Sequence, residues 1–130
     1  MKKIKNWGNS PIIDATVISF KKINELQQIL KNNNEVISRG LGKCYGDSSL
    51  NNTIIATTKF NQIKSFNQQT GLFVCESGIT LENILKKIIP AGWFLPVTPG
   101  TKLITIGGAV AANVHGKNHH IHGSIVNHLE

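Results

Sequence analysis

Two glycine-rich stretches constrain this chain more than any other feature of its sequence. The first is Arg39-Gly40-Leu41-Gly42-Lys43-Cys44-Tyr45-Gly46-Asp47, which follows the strand-like Glu35-Val36-Ile37-Ser38. Three glycines so close together demand unusual backbone angles or close approach to a ligand. A loop after a strand can turn successive N–H groups onto one anion. The dinucleotide fingerprint is not met, because Tyr45 stands where its third glycine would be and no helical pattern follows. A phosphate cradle and a plain inter-strand turn both fit this stretch.

The second stretch runs from Pro99-Gly100-Thr101 through Ile106-Gly107-Gly108-Ala109 to Asn113, His115, Gly116 and Lys117. Its glycines and alanines predict close backbone approach followed by a short, tightly packed helix, whose first amides favour a pyrophosphate. A small-residue core helix is the alternative. A nucleotide-triphosphate loop is excluded: Ala111 lies five positions before Gly116, and Lys117 precedes Asn118 rather than Ser or Thr.

Around these stretches the pattern is mixed. The first ten residues predict an arm or edge element, and Ala15–Ile18 a strand. A helix capped by Ser19 should then bury Phe20, Ile23, Leu26, Ile29 and Leu30. Strands are expected at Glu35–Ser38 and Thr53–Thr57, and a hairpin from Ile63–Asn67 and Leu72–Glu76 around Gln68–Gly71. The clearest helix is capped by Thr80, carries Leu81, Ile84, Leu85, Ile88 and Ile89 on one face, and stops at Pro90 and Gly92. Short strands with two amphipathic helices indicate α+β or α/β architecture.

The formal charge is +7, but the lysines come in short scattered groups without interleaved aromatics. That is the pattern of termini and solvated faces rather than of a nucleic-acid strip. No apolar run approaches the roughly 18 residues that cross a bilayer, and the opening residues do not read as a secretory signal. Cys44 and Cys75 give neither a disulfide framework nor zinc spacing, which suits a reducing cytoplasm. All five histidines lie between His115 and His128 in no known metal spacing, so no metal is expected.

Taken in order, the strand, Arg-Gly-Leu-Gly-x-x-Tyr-Gly-Asp, hairpin, helix, Pro-Gly-Thr and Gly-Gly-Ala resemble the FAD-binding domain of the vanillyl-alcohol oxidase and p-cresol methylhydroxylase superfamily. The run His115-Gly116-Lys117-Asn118-His119-His120 is similar to the branch that oxidises a sugar hydroxyl on a polyprenyl-phosphate carrier. The resemblance implies an α+β fold, a small strand layer with flanking helices and a β-hairpin. It implies that Arg39–Asp47 and Pro99–Gly108 wrap the FAD pyrophosphate, with Thr101 adding a hydroxyl and Ile106 and Ala109 close by. Asn113, His115, Gly116 and Lys117 should lie near the isoalloxazine or the phosphates. Many members attach FAD through a histidine in the first loop, where Lys43 stands here, so non-covalent FAD is expected.

A complete domain of this family needs roughly 170–200 residues. Residues 1–130 are therefore expected to be its N-terminal portion, without the second half of the flavin domain or the substrate domain, and inactive alone. The expected partners are FAD, the remainder of an oxidoreductase and a small-molecule or lipid-linked sugar substrate, with self-association of the isolated chain and no nucleic acid. Peripheral membrane attachment of a larger protein is compatible with the cytoplasmic expectation. The competing class is a small basic, non-catalytic module binding nucleic acid or phosphorylated ligands.

Overall fold

A computed structural model describes all residues, 1–130. The chain forms two compact units, Met1–Phe60 and Asn61–Glu130.

The first unit is built on a four-stranded sheet of β1 (Lys2–Lys5), β2 (Ile12–Ser19), β3 (Ile37–Arg39) and β4 (Thr53–Ala56), ordered β1-β2-β4-β3. β4 runs parallel to both neighbours, pairing Ile54 with Val17 and Ile37. β1 lies antiparallel on the outer side of β2, so the expected edge element is a strand. Its lysines discourage further strand addition. A strand covered on both faces needs an unbroken apolar run, and Ile54 and Ile55 in β4 are both buried.

Helix α1 (Ile23–Asn32) connects β2 to β3. Its start differs from the expected one: Ser19 pairs with Ala56 as the last residue of β2, so the ladder claims it before the helix can. Lys22 is the N-cap residue, and the Glu25 carboxylate accepts from the amides of Lys21 (2.8 Å) and Lys22 (3.3 Å). Those bonds, aided by the two lysine charges, hold the Glu25 carboxyl below its ordinary pKa. Phe20 lies outside the helix, buried, with its ring 5.2 Å from that of Phe60. The apolar stripe of α1 is incompletely covered, with Ile23 and Leu30 about half exposed.

β3 and β4 are adjacent and parallel, and residues 40–52 join them. Parallel neighbours need a return of about a dozen residues or more, usually a helix. Here the glycine loop fills that role.

The second unit opens with the hairpin of β5 (Ile63–Phe66) and β6 (Phe73–Cys75), irregular in register between Ile63 and Ser65. Asn67 closes its turn by accepting from Gln69 and Thr70. Gly71 has φ +79°, and a Cβ there would collide with the Trp93 ring. Helix α2 (Leu81–Ile88) begins as the sequence indicates, with the Thr80 hydroxyl accepting from Asn83 N–H at 3.1 Å. Leu81, Ile84 and Ile88 join Ile79 in the core beneath Phe66, Phe73 and Trp93. Ile89 departs from the expected stripe: Pro90 tightens Ile89–Ala91 into a 3-10 turn, which leaves Ile89 exposed.

The unit continues with α3 (Ile106–Ala111), α4 (His119–His122) and a 3-10 turn at Ile125–His128. Val97, Ala109 and Ile125 form a second small core. No helix is long and apolar enough to cross a membrane.

Candidate functional site

In the first unit, the loop from Leu41 to Asp47 has its carbonyls tied down and its amides open. The Trp7 amide donates to Gly42 O (3.0 Å) and Cys44 O (3.2 Å), while Asn6 Nδ2 donates to Gly46 O (2.8 Å). No amide from Leu41 to Asp47 is hydrogen-bonded. Because the peptide unit is planar and trans, pinning the carbonyls of residues 42, 44 and 46 turns the next N–H groups, of Lys43, Tyr45 and Asp47, the opposite way. Gly42 and Gly46 supply the left-handed angles that this alternation requires, φ +61° and +58°. Such a row of outward amides makes an anion-binding concavity.

Arg39 was expected among the cofactor contacts, but its guanidinium faces into the unit. Nη2 donates to Lys5 O (2.7 Å), and Nη1 donates to Asn6 Oδ1 and to Ser49 Oγ (2.9 Å). It lies directly under Gly42, where any Cβ would overlap it. Burial lowers the guanidinium pKa, an effect opposed by Cys44. The result is a polar floor under the loop, with Asn6 buried and Arg39 and Ser49 half-buried. Removing one member leaves the others without a partner, at a cost moderated by their partial exposure. Cys44 Sγ reaches Ser49 Oγ at 3.3 Å within this floor. Leu41, Lys43, Tyr45 and Asp47 are exposed, and Tyr45 packs edge-on against Trp7.

In the second unit, the start of α3 is more fully committed to the protein than its glycines suggest. Thr105, buried, caps it by accepting from Gly108 N–H at 3.2 Å. Ile106 N–H donates to Ile79 O, Gly107 N–H to Ser77 O and Ala109 N–H to Thr105 O. Gly107 is required by packing, since a Cβ would lie 2.8 Å from Ser77 Cβ. The Gly107 and Gly108 amides, expected at the pyrophosphate, are thus engaged internally. Open donors in this stretch include the amides of Gly100 and Thr101. The Thr101 hydroxyl accepts from Leu103 N–H and keeps its own proton to donate. Pro99 is half-buried just before them.

Asn113 ends α3 with φ +44° and is exposed. His115 bridges to Ser124, and its ring stands 5.0 Å from that of His119. Gly116 is buried where a Cβ would meet Thr98 O at 2.7 Å, and Lys117 is exposed beside it. No group of three His, Cys, Asp or Glu side chains is placed to hold a metal ion. A separate groove of about 1060 Å³ opens beside the hairpin, walled by Phe66, Phe73, Trp93, Val97 and Val110. Its walls are mainly apolar and present no row of donors.

Asn6, Ser49 and the Trp7 amide were not anticipated from sequence. Asn6 stands 33 residues from its partner Arg39, and no local spacing signals such a contact.

These features define an α+β fold that carries an anion-binding loop. The profile of the family described as FAD binding domain matches residues 10–130, and the chain belongs to that family. It is 35% identical over 135 residues to the decaprenylphosphoryl-β-D-ribose oxidase of Mycolicibacterium smegmatis, covering 98% of this chain and 29% of that protein. Mitochondrial D-2-hydroxyglutarate dehydrogenase of Bos taurus is 36% identical over 64 residues, covering 48% of this chain and 12% of that protein. Cholesterol oxidase from Brevibacterium sterolicum superposes with a TM-score of 0.74 at 22% identity, over 88% of this chain and 24% of that one. The fold is the α+β arrangement of p-cresol methylhydroxylase-type FAD domains, and the cofactor is FAD. The chain spans less than a third of the length of the relatives it matches. The donor set agrees with the cofactor, since open amides suit a pyrophosphate and need no metal.

Proposed function

We propose that this chain is the pyrophosphate-binding portion of an FAD-dependent oxidoreductase acting on a CH–OH carbon. The observation that carries the reading is the set of unpaired amides from Leu41 to Asp47, of which those of Lys43, Tyr45 and Asp47 are turned outward by pinned carbonyls. In the first unit those amides, beginning at Gly40, bind phosphate oxygens. In the second, the Gly100 and Thr101 amides and the Thr101 hydroxyl do the same. Asn113, His115, Gly116 and Lys117 contact the isoalloxazine or the phosphates, and Lys117 contributes a positive charge. Arg39, Ile106, Gly107, Gly108 and Ala109 shape the backbone rather than donate to the ligand.

The bound flavin supplies the hydride acceptor, while the protein supplies binding, orientation and electrostatics. With Lys43 in the first loop and no histidine there, attachment is non-covalent. The relatives are named for a ribose lipid and a hydroxy acid, and both substrates carry an oxidisable alcohol. Identity across nearly the whole chain favours the first, a sugar hydroxyl on a polyprenyl-phosphate carrier. Residues 1–130 act as one part of the flavin domain, and a larger protein supplies the substrate site.

Gly46→Asp tests the phosphate site. A Cβ at Gly46 meets nothing within 4 Å, and Asp tolerates left-handed angles better than most residues, so the cost to the fold is confined to that backbone strain. Its carboxylate would stand beside the amide row. FAD titration followed by fluorescence should show saturable binding that weakens at least about tenfold in the variant, equivalent to about 1.4 kcal/mol. Equal affinity would remove the pyrophosphate from this loop. Acid precipitation of the saturated protein should leave all flavin in solution. For the substrate class, anaerobic bleaching of the flavin in an enzyme carrying this chain should be faster with a polyprenyl-phosphoryl sugar than with a 2-hydroxy acid.

A further inference from the structure

Residues 5–7 lie outside the stretch matched by the family profile, which begins at residue 10. Yet they hold most of the bonds that shape the glycine loop. Asn6 is 3% exposed, the most buried polar residue of its unit. Its Nδ2 donates to Gly46 O at 2.8 Å, and its Oδ1 accepts from Ser49 Oγ at 3.0 Å and from Arg39 Nη1. Lys5 O accepts from Arg39 Nη2, and the Trp7 amide holds Gly42 O and Cys44 O.

We propose that Asn6 is a positioning residue for flavin binding, which sets the Asp47 amide outward by holding the Gly46 carbonyl inward. This deepens the flavin reading and rests on it. A carboxamide suits the place because it donates and accepts from one planar group. The donor end fixes the loop. The acceptor end occupies Arg39 and keeps that cation in the floor, under Gly42, instead of on the ligand side. A carboxylate of the same shape keeps the second function and loses the first. An alanine loses both, and the Gly46–Asp47 peptide is then free to rotate and bury its N–H. The lysine-rich first strand therefore serves to carry Asn6 and Trp7 to the loop, beyond its role as a sheet edge.

The test compares the unsubstituted chain with Asn6→Asp, Asn6→Ala and Ala15→Gly. The last is a destabilised control altered in the core of β2, where Ala15 is fully buried. Without FAD, the ¹H–¹⁵N resonances of Gly46 and Asp47 should move in both Asn6 variants and stay in place in Ala15→Gly. With FAD, affinity should fall roughly tenfold in Asn6→Ala, the scale of one lost hydrogen bond, and should fall in Asn6→Asp without loss of folding. The bound pyrophosphate ³¹P signal should shift in both, a change that general destabilisation does not produce. Unmoved loop resonances with unchanged affinity in Asn6→Asp would overturn the proposal. So would an affinity loss equalled by Ala15→Gly at matched melting temperature. If instead no protein in the set binds FAD while the Asn6 variants still move the loop amides, the flavin reading fails and the pinning of the loop stands.

Discussion

Gly42 combines two demands that only glycine meets. Its φ of +61° is left-handed, and the space a Cβ would take is filled by the Arg39 guanidinium. Left-handed backbone costs other residues roughly 1–2 kcal/mol, and Arg39 would also have to leave its partners. Gly42→Ala should therefore lower the melting temperature of residues 1–60 and weaken FAD binding together, read by calorimetry and titration on one sample. Glu76, in the other unit, makes a different prediction. Burial alone would raise its carboxyl, but the Lys64 ammonium at 2.5 Å and the Gln62 amide at 2.7 Å hold it below the ordinary value of 4.5. A lowered folded pKa stabilises fully above the unfolded pKa, and that contribution disappears as pH falls through the folded value. Glu76→Gln should be clearly less stable than the unsubstituted chain near pH 7, and urea unfolding at about pH 3 should narrow the gap.

Among the elements, α2 shows how far local chemistry reaches. Its cap, apolar stripe and stop signals lie within a dozen or so residues, and the helix forms where they place it. Thr80→Ala should cost about 1 kcal/mol through the lost cap. Leu81→Ala, at a position 1% exposed, should cost about 2–5 kcal/mol. Denaturant melts of the two variants rank the terms, and a larger loss from the cap than from the core would contradict this packing. The start of α1 was less legible, because Ser19 is claimed by pairing with Ala56, a partner far along the chain. The same reason hides the orientation of Arg39 and the engagement of the Gly107 amide. Both depend on acceptors that sequence spacing does not reveal, Lys5 O in one case and Ser77 O in the other. Glycine patterns announce that backbone comes close to something. They do not say whether that something is a ligand or the protein itself.

At the scale of the whole chain, the family was legible because both glycine motifs occur in order. The pinning segment was not legible, because it acts only through tertiary contacts. The groove beside the hairpin and the exposed Leu72, Val74 and Phe94 predict self-association of the isolated chain, since a two-stranded ribbon is marginal alone. Val74→Lys should reduce the mass measured by light scattering toward that of one 14.2 kDa chain. A single-chain mass before substitution would contradict the expectation.

The order β1-β2-β4-β3 also sets a timetable. β2 and β3 share no direct pairing and meet only across β4, the last of the four to leave the ribosome. Antiparallel pairing of β1 with β2 can begin early, but both parallel pairs wait for Thr53–Ala56, and contacts so distant in sequence close slowly. A nascent chain halted before Thr53 has already made every glycine of the first loop, yet lacks the strand that fixes the loop's far end. Ordering of the loop is thus deferred until its sheet is complete, so an unfinished chain carries the glycines without the far anchor that fixes their backbone.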